Sequence, residues 1–444
     1  MEHKLTATQH ISHTSGDPAC AYAQWRAQRG LKPGLLLVDF SIQADWVAKA
    51  HQQALTAIYC LGSNGSMYLS VTEKALVTSE GDPQAQYALW LREHSIARVL
   101  LGGVLPLGPV FIPKPWGREI WFTGVEERGV CNVVSQHGQT PIPWVQAAMP
   151  QLQIGAANHP LILLKILDPF AKVVQGDLYF ELHEQKREVY VVTHIDLDAW
   201  PDGTGYIRYG FSPEKLALYP DAKEFRRRYL EAVQNYEQLR RALDGAVDSS
   251  KSQQSAADKA LLARERDLRE VMDSFTYLRP LRVGDVVKVP LLTPHSLQHG
   301  VRTIEFQTPV YERKILSFAQ EVVTQNHWDT IEAVAQMNLH TPLDTPFTTL
   351  RNDDQVLIER IVDFDDFEVH RVQMTPSATL ENMALDSYLI LIVVEGTLAI
   401  EGNNYGPEEA LILPLAWAGK VASNGETGAV SFLLAIPRDK AVES

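Results

Sequence analysis

The sequence predicts a mainly β chain: two β-barrel-like domains, the first carrying a helical insertion, preceded by an N-terminal α/β extension. Three observations predict it. Short strand-like runs bounded by turn residues recur from about 161 to 210 and again over the last hundred residues, which favours a sandwich or barrel over a parallel sheet. Between them lie "SPEKLALYPDAKEFRRRYLEAVQNYEQLRRALDGAV" and "AADKALLARERDLREVMDSF", rich in helix formers with apolar residues three and four apart. At 444 residues the chain also exceeds what one hydrophobic core usually supports.

Taken in order, residues 1–105 read as the α/β segment, with helical spacing of Trp46, Ala50, Leu55 and Ile58 after a start at Ser41, and a second helix in "PQAQYALWLREHSIARVLL". "VLPLGPVFIPKPWG", dense in Pro and Gly, reads as a turn-rich connection and boundary. The first β-domain spans 106–345 with its helical insertion at about 212–275. The second spans 346–444, where "VVEGTLAIEGNNYG" reads as a strand that turns at Glu395 and Gly396 and returns.

Composition excludes several classes of partner. A net charge of −14 argues against nucleic acid or an anionic membrane surface, both of which need a positive field. Cys20, Cys60 and Cys131 are odd in number, far apart and without metal-ligand spacing, so reduced thiols and a cytoplasmic location are expected. No apolar run approaches the roughly 20 residues a membrane helix needs.

The chemistry concentrates in "GDLYFELHEQKREVYVV". In a strand, residues i and i+2 share a face, so Glu181 and His183 project together, and a hairpin through "EQKR" is expected to fold Glu188 back over them. A fourth ligand is offered by "GDVVKVPLLTPHSLQHG", where His295 follows a strand ending at Pro290. Two carboxylates and two imidazoles suit zinc, with manganese, iron or cobalt as substitutes. The competing reading is a solvated strand face, which the separate strand ending in His295 disfavours. His299, four residues beyond His295, is expected to be exposed, and Trp116, Trp121 and Trp328 to be structural.

These two glycine-led halves follow the bipartite pattern of cupin barrels. The order "KPWG", "LLKILD", "ELHEQKREVYVV", helical insertion, "VGDVVKVPLLTPHSL" and "EFQTPVYERKIL" resembles the class I mannose-6-phosphate isomerases over residues 110–320. That resemblance implies two cupin-like domains, zinc held at Glu181, His183, Glu188 and His295, and aldose–ketose isomerisation of mannose 6-phosphate and fructose 6-phosphate. It places Lys186 as a proton carrier, Arg313 as the clamp on enediolate or phosphate, and Glu305 at the start of the same segment. Two departures stand out: Glu181 occupies the place of the family's Gln, and the stretch from Glu305 to Arg313 is shorter than usual. Both leave room for a different or unphosphorylated sugar, or for a sugar-binding protein whose metal is not catalytic. The C-terminal domain, without a metal-type histidine pair, is expected to be a degenerate cupin.

Overall fold

The computed structural model describes residues 11–438 apart from 75, 77–82, 151–152, 156–159, 248–255, 323–324, 382–386, 416 and 426–427. It divides into two compact units, one built from Met1–Val110, Trp121–Leu164 and Phe347–Ser444, the other from Phe111–Ile120 and Lys165–Pro346. Strands predominate in both. Among the described residues no helix is long and apolar enough to cross a membrane.

The second unit carries two sheets. One orders its strands Val286–Val289, Glu188–Ile195, Val301–Gln307, Leu163–Pro169, Gly117–Trp121 and Val110–Lys114. The other runs Thr276–Leu281, Gly205–Phe211, His295–Leu297, Phe180–Leu182 and Lys314–Ser317. Tyr190, Val192 and Val301 from the first sheet share a core with Ile207, Tyr209, Leu297 and Ile315 from the second, so the sheets enclose one interior. The period of two along each strand then grades that interior from apolar to polar. Val192 and Tyr190 are followed on their face by Glu188, Val301 and Thr303 by Glu305 and Gln307, Leu167 by Lys165, and Leu297 by His295. The result is a cup with an oily base and a charged end.

Helices Ala222–Val247 and Ala256–Asp273 form the insertion. Phe225, Tyr229 and Tyr236 from the first of them pack on Phe180 and Leu182, the outward residues of the strand whose inward residue is Glu181. That burial, worth about 1.5–3 kcal/mol per large side chain, braces the strand from behind.

In the first unit, a five-stranded sheet orders Ile11–Ser15, Gly34–Ala44, His51–Leu61, Met67–Thr72 and Val99–Leu100, with its first pair parallel. Helices Pro18–Arg29 and Pro83–Glu93 accompany it, the former capped by Asp17, whose carboxylate accepts from Cys20 N–H. The expected helix after Ser41 is absent: Gly34–Ala44 and His51–Leu61 pair along their full length as an antiparallel hairpin. Trp46 and Ala50 fall in the connecting turn, and the apparent three- and four-residue spacing spans two strands and a turn. Nor is the Pro- and Gly-rich stretch near 104–117 a loop. It forms strands Leu105–Gly108 and Val110–Lys114, and the chain passes from the first unit to the second between Val110 and Phe111.

The same unit holds a nine-stranded sheet and a four-stranded one, Thr379–Glu381, Lys420–Ser423, Leu398–Ile400 and Asn403–Tyr405. Strand Leu389–Glu395 does not turn back on Leu398–Ile400 as expected. It pairs with Ala410–Leu413 and Val430–Pro437, while Leu398–Ile400 pairs with Asn403–Tyr405 and Lys420–Ser423 in the other sheet. Gly396, at φ 77° and with no room for a side chain beside the Ala429 carbonyl, lets the chain change sheets there.

Candidate metal centre

Tyr179, Glu181 and His183 face the interior from one sheet, and His295, across the ladder from Glu181, faces it from the neighbouring strand. A carboxylate oxygen of Glu181 and one ring nitrogen from each of His183 and His295 lie within 4.8 Å of one another. Glu188 joins them from the opposite sheet. Its Oε1 is 3.3 Å from His183 Nε2 and its Oε2 is 3.0 Å from His295 Nε2. The hairpin anticipated between Glu181 and Glu188 is therefore not the device that unites them: the chain leaves one sheet at Leu182 and enters the other at Glu188.

The tautomers of both histidines follow from their backbone partners. His183 Nδ1 lies 2.9 Å from the Glu312 carbonyl and His295 Nδ1 lies 3.0 Å from the Thr293 carbonyl. A carbonyl only accepts, so each Nδ1 carries the proton and each Nε2 presents a lone pair inward. Neither Nε2 has a partner in hydrogen-bond geometry, nor does Glu181 Oε2, although all three atoms are buried. Unpaired buried polar atoms cost about 1–3 kcal/mol each. Two imidazoles oriented through Nδ1, with Nε2 beside two carboxylates, are what a divalent ion of the zinc type requires. These residues fit such an ion.

Charges close the site. Lys186 Nζ lies 2.8 Å from Glu188 Oε1, and Tyr190 donates to Glu188 Oε2 at 2.6 Å. Burial alone would push the Glu188 carboxyl up, but Lys186 and the neighbouring imidazoles outweigh it and hold the group well below its usual range. The two histidines diverge. Burial and then Lys186 hold His183 below its ordinary value, whereas at His295 the opposing burial is outweighed by Glu188 and Glu181, which raise it. Tyr190 is pushed well above its usual range, first by burial and then by Glu188, so it stays a donor.

Around this core stand the other sequence candidates. The Arg313 guanidinium lies 4.6 Å from the centre of the Tyr179 ring with its Nε 3.9 Å from Glu181 Oε2, so it meets the first metal-ligand candidate. Glu312 turns the other way, its carboxylate accepting from Glu184 and Gln185 N–H. Glu305 is buried and ion-paired at 3.2 Å with Lys165, which also lies 3.9 Å from Glu119. Burial raises the Glu305 carboxyl well above its usual range, with Lys165 opposing. Lys165, Glu119 and Tyr190 escaped the sequence reading. Alternation in "LLKILD", which puts a lysine on the same face as Leu167, was the available signal.

His299 is a correction: it is 5% exposed, bonded through Nδ1 to Asp177 Oδ1 at 2.6 Å and stacked on Trp200 at 4.5 Å. Trp116 and Trp121 are buried and Trp328 packs against two core clusters. His194 and His327 are exposed, and His370 pairs with Glu368 in the other unit.

No family model and no curated protein matches the chain in sequence. Solved structures do match in fold. The mannose 6-phosphate isomerase of Bacillus subtilis superposes with a TM-score of 0.54 at 15% identity, covering 75% of this chain and 99% of its own. A variant phosphomannose isomerase from Salmonella typhimurium gives 0.52 at 14% identity, over 74% and 99% of the two chains. A zinc-bound mannose 6-phosphate isomerase gives 0.53 at 13% identity over the same shares. At these identities the likeness is one of fold.

Proposed function

We propose that the chain is a metal-dependent aldose–ketose isomerase acting on a sugar or sugar phosphate, with the metal at Glu181, His183, Glu188 and His295. The observation that carries this reading is the pair of histidines tied through Nδ1 with bare, buried Nε2 atoms beside two carboxylates. The fold likeness to isomerases of mannose 6-phosphate supports it. A bound divalent ion of the zinc type supplies Lewis-acid stabilisation of the charge that grows on the substrate carbonyl oxygen.

The chain's own groups account for the rest. Isomerisation takes a proton from the hydroxyl-bearing carbon beside the carbonyl and delivers it to the carbonyl carbon, while the hydroxyl proton passes in the same sense to the former carbonyl oxygen. Lys186 Nζ, buried and held against Glu188, gives and receives such a proton. Arg313, braced on the Tyr179 ring, presents a planar fork to the enediolate or to a phosphate. Glu305 and Lys165, ion-paired at 3.2 Å, hold substrate hydroxyls at the far wall.

A second substrate reading, an unphosphorylated sugar, is favoured by the company these cations keep. Lys186, Lys165 and Arg313 each stand beside a carboxylate, with which a phosphate dianion must compete. The deciding experiment assays metal-analysed protein for aldose formation from fructose 6-phosphate and from several free ketoses. Turnover on free sugars alone selects the second reading. No turnover on any ketose at full metal occupancy rejects the isomerase.

A further inference from the structure

A basic cluster in the unit without the metal ligands is left electrically unbalanced. Arg92 lies in the last turn of the helix Pro83–Glu93, and Arg98 lies just beyond it. His137 occupies the tip of the hairpin formed by Asn132–Ser135 and Gly138–Pro141. That tip is pressed onto the turn after the helix: a side chain at Gly138 would meet the backbone of Ser95, and Gln139 N–H donates to the Ser95 carbonyl at 3.0 Å. One hydroxyl joins the two segments, since Ser135 Oγ accepts from Arg98 N–H at 3.0 Å and from His137 N–H at 3.2 Å.

None of the three basic side chains has a carboxylate partner among the described residues. Arg98 Nε and His137 Nδ1 are both buried atoms without a hydrogen-bond partner, and His137 is only 8% exposed. The Arg98 guanidinium carbon lies over aromatic rings, 3.8 Å from the Tyr68 ring centre and 5.9 Å from that of Tyr87. Stacking fixes the plane of the guanidinium and leaves its edge as the donor surface. Both arginines are close enough to act on the imidazole, which burial first and then Arg98 and Arg92 hold below its ordinary range. In a chain of net charge −14, a guanidinium and an imidazole with buried, unpaired nitrogens are a local expense that a bound anion removes.

We infer that Arg92, Arg98 and His137 form an anion site for a phosphate group, separate from the metal centre. Two permanent positive charges beside an imidazole match a phosphate dianion better than a single carboxylate, and a planar guanidinium edge takes two of its oxygens at once. Inorganic phosphate is the simplest probe.

The test is calorimetric titration of the full chain with inorganic phosphate at low salt, with acetate as the control. The unaltered protein is expected to bind phosphate saturably and acetate not at all. His295→Ala, which disables the metal centre, is expected to retain that binding, whereas Arg98→Gln and Arg92→Gln each weaken it by about tenfold or more. Arg92 is exposed, so its variant keeps the test valid if loss of Arg98 disturbs the fold. Nitrogen-15 resonances of the His137 ring should shift as phosphate is added. Phosphate binding that disappears in His295→Ala but survives both arginine changes would place it at the metal centre and overturn the inference. So would acetate binding as tightly as phosphate, or no binding at about 10 mM phosphate.

Discussion

Two interiors of similar build invite comparison. Each is enclosed by a pair of sheets, yet in one the inward positions run Glu188, Glu305, Lys165 and His295 at one end, and in the other Val372, Leu391, Val393, Leu398, Leu411 and Phe432 form a buried apolar core. The same backbone plan thus yields a site where alternating positions are given to charge, and a solid core where they are given to hydrocarbon. Stability and chemistry are divided between the two.

The sharpest way to break that contrast is to empty each interior in turn. Phe432→Ala should cost about 3–5 kcal/mol of stability, read by denaturant unfolding, and leave the metal content at about one ion per chain. A coincident loss of metal would show that the two interiors are not independent. His183→Ala should do the reverse, weakening metal binding at least about a hundredfold, or about 2.7 kcal/mol, while the circular dichroism spectrum is retained. Unfolding of that variant would make the metal structural.

A finer prediction concerns Glu181, which adds a second carboxylate to the site. Glu181→Gln should lower metal affinity by about tenfold and leave the ion more electrophilic, so that turnover on a sugar phosphate rises. Loss of turnover with metal fully bound would make Glu181 a base and not a ligand. The smallest expected effect lies at the apolar end of the same cup. Asp177 is held below its usual value of 3.8, burial opposing and the His299 hydrogen bonds prevailing. A depressed carboxyl stabilises the fold above its ordinary pKa and loses that contribution as pH falls through the folded value. Unfolding followed from neutral pH down to about pH 3 should show a loss of stability that Asp177→Asn lacks.

The metal-ligand candidates could be read in the sequence because a strand's period of two is local: "ELH" sets Glu181 and His183 on one face whatever surrounds them. How Glu188 arrives could not be read so easily. Whether the chain after a tight turn pairs with the strand before it or crosses to a facing sheet depends on partners distant in sequence, here Val301–Gln307 and Val286–Val289. The same distance concealed Lys165 and Glu119, each unremarkable in its own strand and meaningful only opposite Glu305. At Ser41 the failure was different in kind. A hairpin with both ends half exposed scatters its apolar residues at intervals that mimic a helix, and no Gly or Pro marks the turn between Ala44 and His51. His299 was misjudged because its burial is built from Asp177 and Trp200, far from it along the chain.

Glu312 and Arg313 are adjacent, and that adjacency has a mechanical meaning. The carbonyl of one fixes the proton on His183, and the side chain of the other reaches toward Glu181 and the space beside it. The Glu312 carboxylate is itself clasped by the backbone of the turn that follows His183. A ligand that draws Arg313 toward itself therefore pulls on the same short segment that aims the imidazole. Arg313 and the candidate ligand His183 are thus held by one short segment, so a displacement of either is carried to the other.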